Sequence, residues 1–303
     1  MRIAVILLLA VLTGCSHPRP GRILTWQEYG RVSVEWPYVL RIAGSRGELL
    51  YYGARHTYLP GDPQIDEIER LWTAFRPDIA FNEGGNPPIE SSREDTVRKG
   101  GESAFVRFLA ARDNVPVTTL DPSRAEEVAH LKRKFTAEEI KLFYVLRTGA
   151  QFTAKGTEGP VEKEVERVLA IHNATPGLMG PPRTLDEVEA AFRQRFPGKG
   201  KYQDTPLSWL DPVFDDSFLN RIARESSDYR DRFMVEKIRS HLEEGHRIFA
   251  VVGGTHVVMQ EPALMNPHPA STPGRCSGTS QTARASNASF SCRCITAASF
   301  QAE

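Results

Sequence analysis

Between Cys15 and Cys276 the chain has no cysteine. A disulfide framework therefore does not hold the body together, and no thiol there can serve as a nucleophile. An excess of charge of one sign is missing too. The 38 Lys and Arg residues are matched by 38 Asp and Glu, which excludes the electropositive field that a nucleic-acid partner requires. No stretch, the apolar run Ile3 to Leu12 included, is long enough to cross a bilayer as a helix. Two familiar catalytic signatures are absent as well. There is no Gly-x-Ser-x-Gly elbow, and neither Gly-x-Gly-x-x-Gly nor a glycine loop ending in Lys-Ser or Lys-Thr occurs. Covalent serine chemistry and nucleotide binding are thereby disfavoured.

What is present begins with MRIAVILLLAVLTGC: Arg2, an apolar core, then Thr13 and Gly14 before Cys15. Such a run is too short to span and fits the core of a secretory signal peptide. Leu-Thr-Gly-Cys resembles the bacterial lipobox, which implies removal of residues 1–14 and acylation of Cys15. The chain would then be held at a membrane surface without inserting through it. Ser16 after the cysteine points to the outer membrane, facing the periplasm. Residues 15–45 read as anchor, linker and leading strands. At the other end, 265–303 is rich in Ser, Thr, Ala, Pro and Arg without apolar periodicity. It reads as a disordered tail, and its abrupt onset as a frameshifted end.

Residues 46–262 carry the periodicity. Glu48 to Tyr52 reads as a buried strand, Ile65, Ile68, Trp72 and Phe75 share one face of a helix, and Asp78 to Glu83 is a second strand. A helix over Glu102 to Asp113 and a strand over Val115 to Leu120 continue the alternation. Residues from about 123 to 224 are charged, helical and broken by Gly and Pro, a central helical insertion in which His130 and His172 read as surface residues. Arg230 to Glu244 predicts a long helix closed by Gly245, and Arg247 to Val252 a fully buried strand. The expected fold is α/β: a mainly parallel or mixed sheet with flanking helices, in two strand-helix halves separated by the insertion.

Two of these strands run into Gly-x-x-His, at His56 and His256, and a third ends at Glu83 before two glycines. Ligands of α/β sheets gather outside the carboxyl ends of the strands. Two histidines and a carboxylate converging there suit either a divalent metal or a base with its orienting partners.

The stretch GARHTYLPGDPQIDEIERLWTAFRPDIAFNEGG resembles the N-terminal half of the TraB/GumN/Tiki superfamily, and RDRFMVEKIRSHLEEGHRIFAVVGGTHV resembles its C-terminal half. The match covers roughly residues 45 to 120 and 225 to 262. The resemblance implies an active centre of His56, Glu83 and His256, with Arg230 nearby to stabilise a developing oxyanion. Asp231 stands where the pattern has asparagine. The Tiki branch implies a metal-dependent protease, with His56, Glu83 and His256 as ligands of Mn, Co, Fe or Zn. The related erythromycin esterase branch implies ester hydrolysis by activated water. The expectation is thus a metal-assisted hydrolase of a peptide or small-molecule substrate, anchored through Cys15. The similar ChaN-like lipoproteins imply the alternative, haem or iron binding without catalysis, with Tyr51, Tyr52 and Tyr58 flanking the first histidine.

Overall fold

A computed structural model describes residues 21–44, 46–154 and 159–265. The expected signal peptide, Cys15 and the tail beyond Met265 lie outside the described residues. Strands β1 (Tyr38–Ala43), β2 (Glu48–Ala54), β3 (Ile79–Asn82), β4 (Val117–Thr119) and β5 (Arg247–Gly253) form one sheet in the order β1-β2-β5-β3-β4. The first pair is an antiparallel hairpin and all other neighbours are parallel. The helices are α1 (Trp26–Tyr29), α2 (Pro63–Phe75), α3 (Arg93–Arg112), α4 (Arg124–Leu131), α5 (Ala137–Ala154), α6 (Val161–Asn173), α7 (Leu185–Arg195), α8 (Phe218–Glu243) and α9 (Gly254–Met265). The fold is α/β with a mixed, mostly parallel sheet.

The last strand in sequence occupies the centre of the sheet. From Ile248 to Val252 β5 has no polar residue, the composition of a strand covered on both faces. Phe249 and Val251 join Leu50, Tyr52 and Ala80 beneath α2 and α3. Ile248, Ala250 and Val252 join Leu49, Tyr51 and Phe81 against α8 and α9. Because β2, β5, β3 and β4 run parallel, Ala54, Gly253, Asn82 and Thr119 end at the same edge of the sheet.

The helical insertion builds its own core around Leu142, Phe143, Leu146, Val165, Leu169 and Phe192. Two surface expectations fail here. His172 is buried against the Tyr144 ring at 4.6 Å, and burial pushes its pKa down to about 4. His130 is largely covered as well, stacked on Tyr229 and bonded through Nε2 to Glu225 at 2.6 Å. Helix starts also move. α8 begins at Phe218, well before Arg230, because Ser217 and Asn220 cap it reciprocally and Leu219, Ile222 and Ala223 bury in the insertion's core. Arg230 is therefore a mid-helix residue. α3 begins at Arg93 behind a Ser92 cap and passes through a kink at Gly101. Among the described residues no helix is long and apolar enough to cross a membrane.

Phe249 is fully buried at the centre, its ring 5.3 Å from Trp72 and 6.2 Å from Phe75. Phe249→Ala is expected to lower unfolding free energy by about 3–5 kcal/mol, the range for a large aromatic lost from a packed core. Urea unfolding measures it, and a loss below about 1 kcal/mol would show that the core does not rest on β5.

Candidate active site

The carboxyl edge of the sheet gathers titratable side chains from every parallel strand. Glu83 follows β3, Asp121 follows β4, His56 lies beyond β2, and His256 sits in the first turn of α9, directly after β5. The sheet thus brings together all four residues expected from the sequence, with Arg230 arriving from α8. They line a cleft of about 480 Å³ closed on one side by Tyr29 and Trp36 and on another by Arg147 of α5.

Glu83 is the hub. Its Oε1 accepts from Arg230 Nη2 at 2.6 Å and lies 3.4 Å from His256 Nε2, while Oε2 accepts from Gly253 N–H at 2.6 Å. Burial opposes its charge, but His256 and then Arg230 outweigh it and hold the carboxyl well below the usual range. Arg230 also donates through Nε to Asp121 at 2.8 Å, and Asp121 in turn accepts from Gly84 N–H at 2.6 Å. Arg230 is thus bonded to two carboxylates, to Glu83 through Nη2 and to Asp121 through Nε.

The second histidine is held in the same way from behind. His256 Nδ1 donates to Asp231 at 2.6 Å, and the same Asp231 oxygen accepts from Gln260 Nε2 at 2.6 Å. Burial works against the protonated ring, yet Asp231 and Glu83 together raise its pKa to about 10. The two carboxylates thus favour the imidazolium form of His256. Asp231, which stands where the superfamily pattern has asparagine, is completely buried and supplies that charge.

His56 is arranged differently. Its side chain is 58% exposed to the cleft, and its Nδ1 meets Oε1 of the buried Glu102 at 2.6 Å. Because Glu102 Oε2 accepts from Thr57 N–H at 3.1 Å, the carboxylate is the acceptor on both sides. The Glu102 carboxylate thereby orients the His56 ring. A Cβ on Gly253 would stand 2.9 Å from His56 Nε2 and 3.2 Å from Glu83 Oε2, so glycine at the end of β5 leaves room for both. The kink in α3 serves the same pair. Gly101 adopts φ 63°, ψ −157°, a region closed to other residues, and this turns Glu102 towards the Thr57 backbone.

In the expected ligand set Glu83 Oε1 already accepts from Arg230 Nη2 and lies 3.4 Å from His256 Nε2, so a divalent ion on His56, Glu83 and His256 would replace both contacts. Among the described residues the one group of histidine and carboxylate donors close enough to share an ion is His241, Glu244 and His246, at the opposite end of β5. Of the three tyrosines expected beside a haem, Tyr58 is exposed. Tyr51 and Tyr52 are buried on opposite faces of the sheet, with their hydroxyls donated to Gln260 and Glu67.

Sequence reasoning missed Glu102, Asp121 and Arg147. Asp121 carried the same signal as Glu83, a carboxylate ending a strand. Glu102 carried a weaker one, a carboxylate directly after a Gly-Gly pair. No family model matches the chain, and no curated protein or solved structure matches it at a significant level.

Asp231→Asn is expected to bring the His256 pKa down from about 10 towards the ordinary 6.5. The proton is held more tightly in the folded state, so its contribution to stability is complete below about pH 6.5 and fades as the pH rises through about 10. Chemical unfolding across that window should show the parent protein losing stability relative to Asp231→Asn. Parallel profiles would mean that His256 is not held protonated.

Proposed function

We propose that the chain is a hydrolase of ester or peptide bonds that uses activated water, in the manner of the TraB/GumN/Tiki superfamily and its esterase relatives. The observation that carries this reading is the His56–Glu102 pair, with Nε2 turned into a cleft beside Glu83. A water held between His56 Nε2 and Glu83 Oε2 loses a proton to the imidazole as its oxygen attacks the carbonyl carbon. The carbonyl oxygen takes up the negative charge. The first turn of α9 carries backbone N–H groups without intrahelical partners, and the positive end of its dipole faces the cleft through Gly254 and Thr255, a setting that favours an oxyanion. As the tetrahedral species collapses, the C–O or C–N bond breaks and the proton on His56 passes to the leaving group.

His256, protonated and adjoining Glu83, keeps the carboxylate ionised and deepens the positive potential around the oxyanion. Arg230 is a positioning residue for Glu83. The donor set supports water activation by imidazole over activation by Mn, Co, Fe or Zn on His56, Glu83 and His256. The lipobox-like Leu-Thr-Gly-Cys supports a site of action at the outer membrane facing the periplasm, with Cys15 as the anchor.

Two outcomes check these readings. His56→Ala and Glu102→Gln are each expected to lower kcat on para-nitrophenyl esters by about 10²–10⁴-fold, the contribution of an oriented general base, and chelation is expected to leave the rate unchanged. An unaltered rate in His56→Ala would remove the mechanism, whereas a chelator-sensitive rate restored by one divalent metal would return the site to the metalloprotease reading. Cys15→Ser should move the protein from the membrane fraction to the soluble periplasmic fraction, and full retention in the membrane would rule out a lipid anchor at that residue.

A further inference from the structure

Arg147 stands apart from the other arginines at the cleft. Arg230 is committed to Glu83 and Asp121, and Arg55 reaches Asp62 at 3.7 Å. Arg147 projects from α5 into the same cleft with neither a hydrogen bond nor an ion pair within 4.0 Å among the described residues. Burial, and then the neighbouring charge of Arg230, press its pKa downward against the pull of Tyr144, Glu127 and Glu83. A guanidinium keeps its proton under such pressure and so remains a half-buried charge at the cleft.

The carboxylates that act on it, Glu127 and Glu83, are engaged elsewhere: Glu127 accepts from Ser226 Oγ, and Glu83 from Arg230 and Gly253 N–H. Independently, the N-terminal turn of α9 forms another part of the cleft wall, adding a dipole that favours negative charge. Facing these, Tyr29 and Trp36 offer aromatic surface.

Building on the hydrolase reading, we propose that Arg147 is the specificity-determining residue of this site and that the substrate is an ester or amide bearing a carboxylate, paired with Arg147 by a forked ion pair while the scissile carbonyl lies at His56. A planar guanidinium binds both oxygens of a carboxylate, which fixes orientation as well as adding affinity. The acyl or leaving group that carries the charge would lie along Trp36. The helical insertion thereby acquires a role: it brings the cation that selects the substrate to a sheet edge that performs the chemistry.

Two esters differing in one charge test this, para-nitrophenyl acetate and mono-para-nitrophenyl succinate. The parent protein should prefer the succinate ester. In Arg147→Ala the ratio of kcat/KM for succinate over acetate should fall by about 10- to 100-fold, the range for a lost charge-assisted hydrogen bond, chiefly through KM. Arg147→Lys, which keeps the charge without the fork, should recover part of the ratio. An unchanged ratio in a folded Arg147→Ala protein would overturn the proposal. If the parent protein hydrolyses neither ester, the hydrolase reading fails on its own, and calorimetric binding of succinate decides the remaining point. Binding lost in Arg147→Ala supports anion recognition by this arginine; equal binding in both proteins, or none in either, overturns it.

Discussion

A buried carboxylate must be compensated on every side, and Glu83 imposes that demand on the whole carboxyl edge of the sheet. It is 15% exposed, ionised, and bonded to a guanidinium from α8, to the backbone of β5, and in loose contact with an imidazolium from α9. Removing one member of such a set leaves an uncompensated charge in a poorly hydrated place, which costs about 3–5 kcal/mol in comparable buried pairs. Arg230 in turn requires Asp121, and His256 requires Asp231. The network ties together the ends of β3, β4 and β5 and the helices α8 and α9.

The same network separates the chemical roles of the two histidines. Both follow a strand and both have a carboxylate on Nδ1 at 2.6 Å. The difference is on the other nitrogen. His256 Nε2 faces Glu83 in a buried setting and keeps its proton, whereas His56 is turned towards the cleft, where a substrate and a water can reach it. Identical motifs thus place one imidazole in a buried ion pair and the other at the cleft, with Glu83 beside both.

Much of this edge was legible in the sequence because each piece is local. Strand ends at His56, Glu83 and His256 follow from short apolar runs stopped by glycine, and parallel strands necessarily present their ends together. The partners were not legible, because they come from elements far along the chain. Glu102 reaches His56 beyond the positive-φ kink at Gly101, and Asp231, marked in the sequence only as standing where the resembling pattern has asparagine, finds His256 through the packing of α9 on α8. The extent of α8 was hidden for a related reason: its first turns are amphipathic towards the helical insertion, not the sheet, so the apolar stripe changes direction near Ser226 and the two halves read as separate segments.

That change of direction joins the helical insertion to the sheet. α8 has 26 residues, a rod of about 39 Å at the usual rise. Its first half, through Leu219, Ile222 and Ala223, is built into the core that carries α5 and Arg147. Its second half, through Met234, Val235 and Ile238, is built into the core beneath β5. Arg230 and Asp231 lie at the junction, where the helix passes from one core to the other, and they hold Glu83 and His256 respectively. A shift of the insertion relative to the sheet cannot occur without moving one end of this rod. Because the rod's middle is locked to two buried charges, the position of Arg147 relative to His56 is set by the same interactions that keep Glu83 ionised.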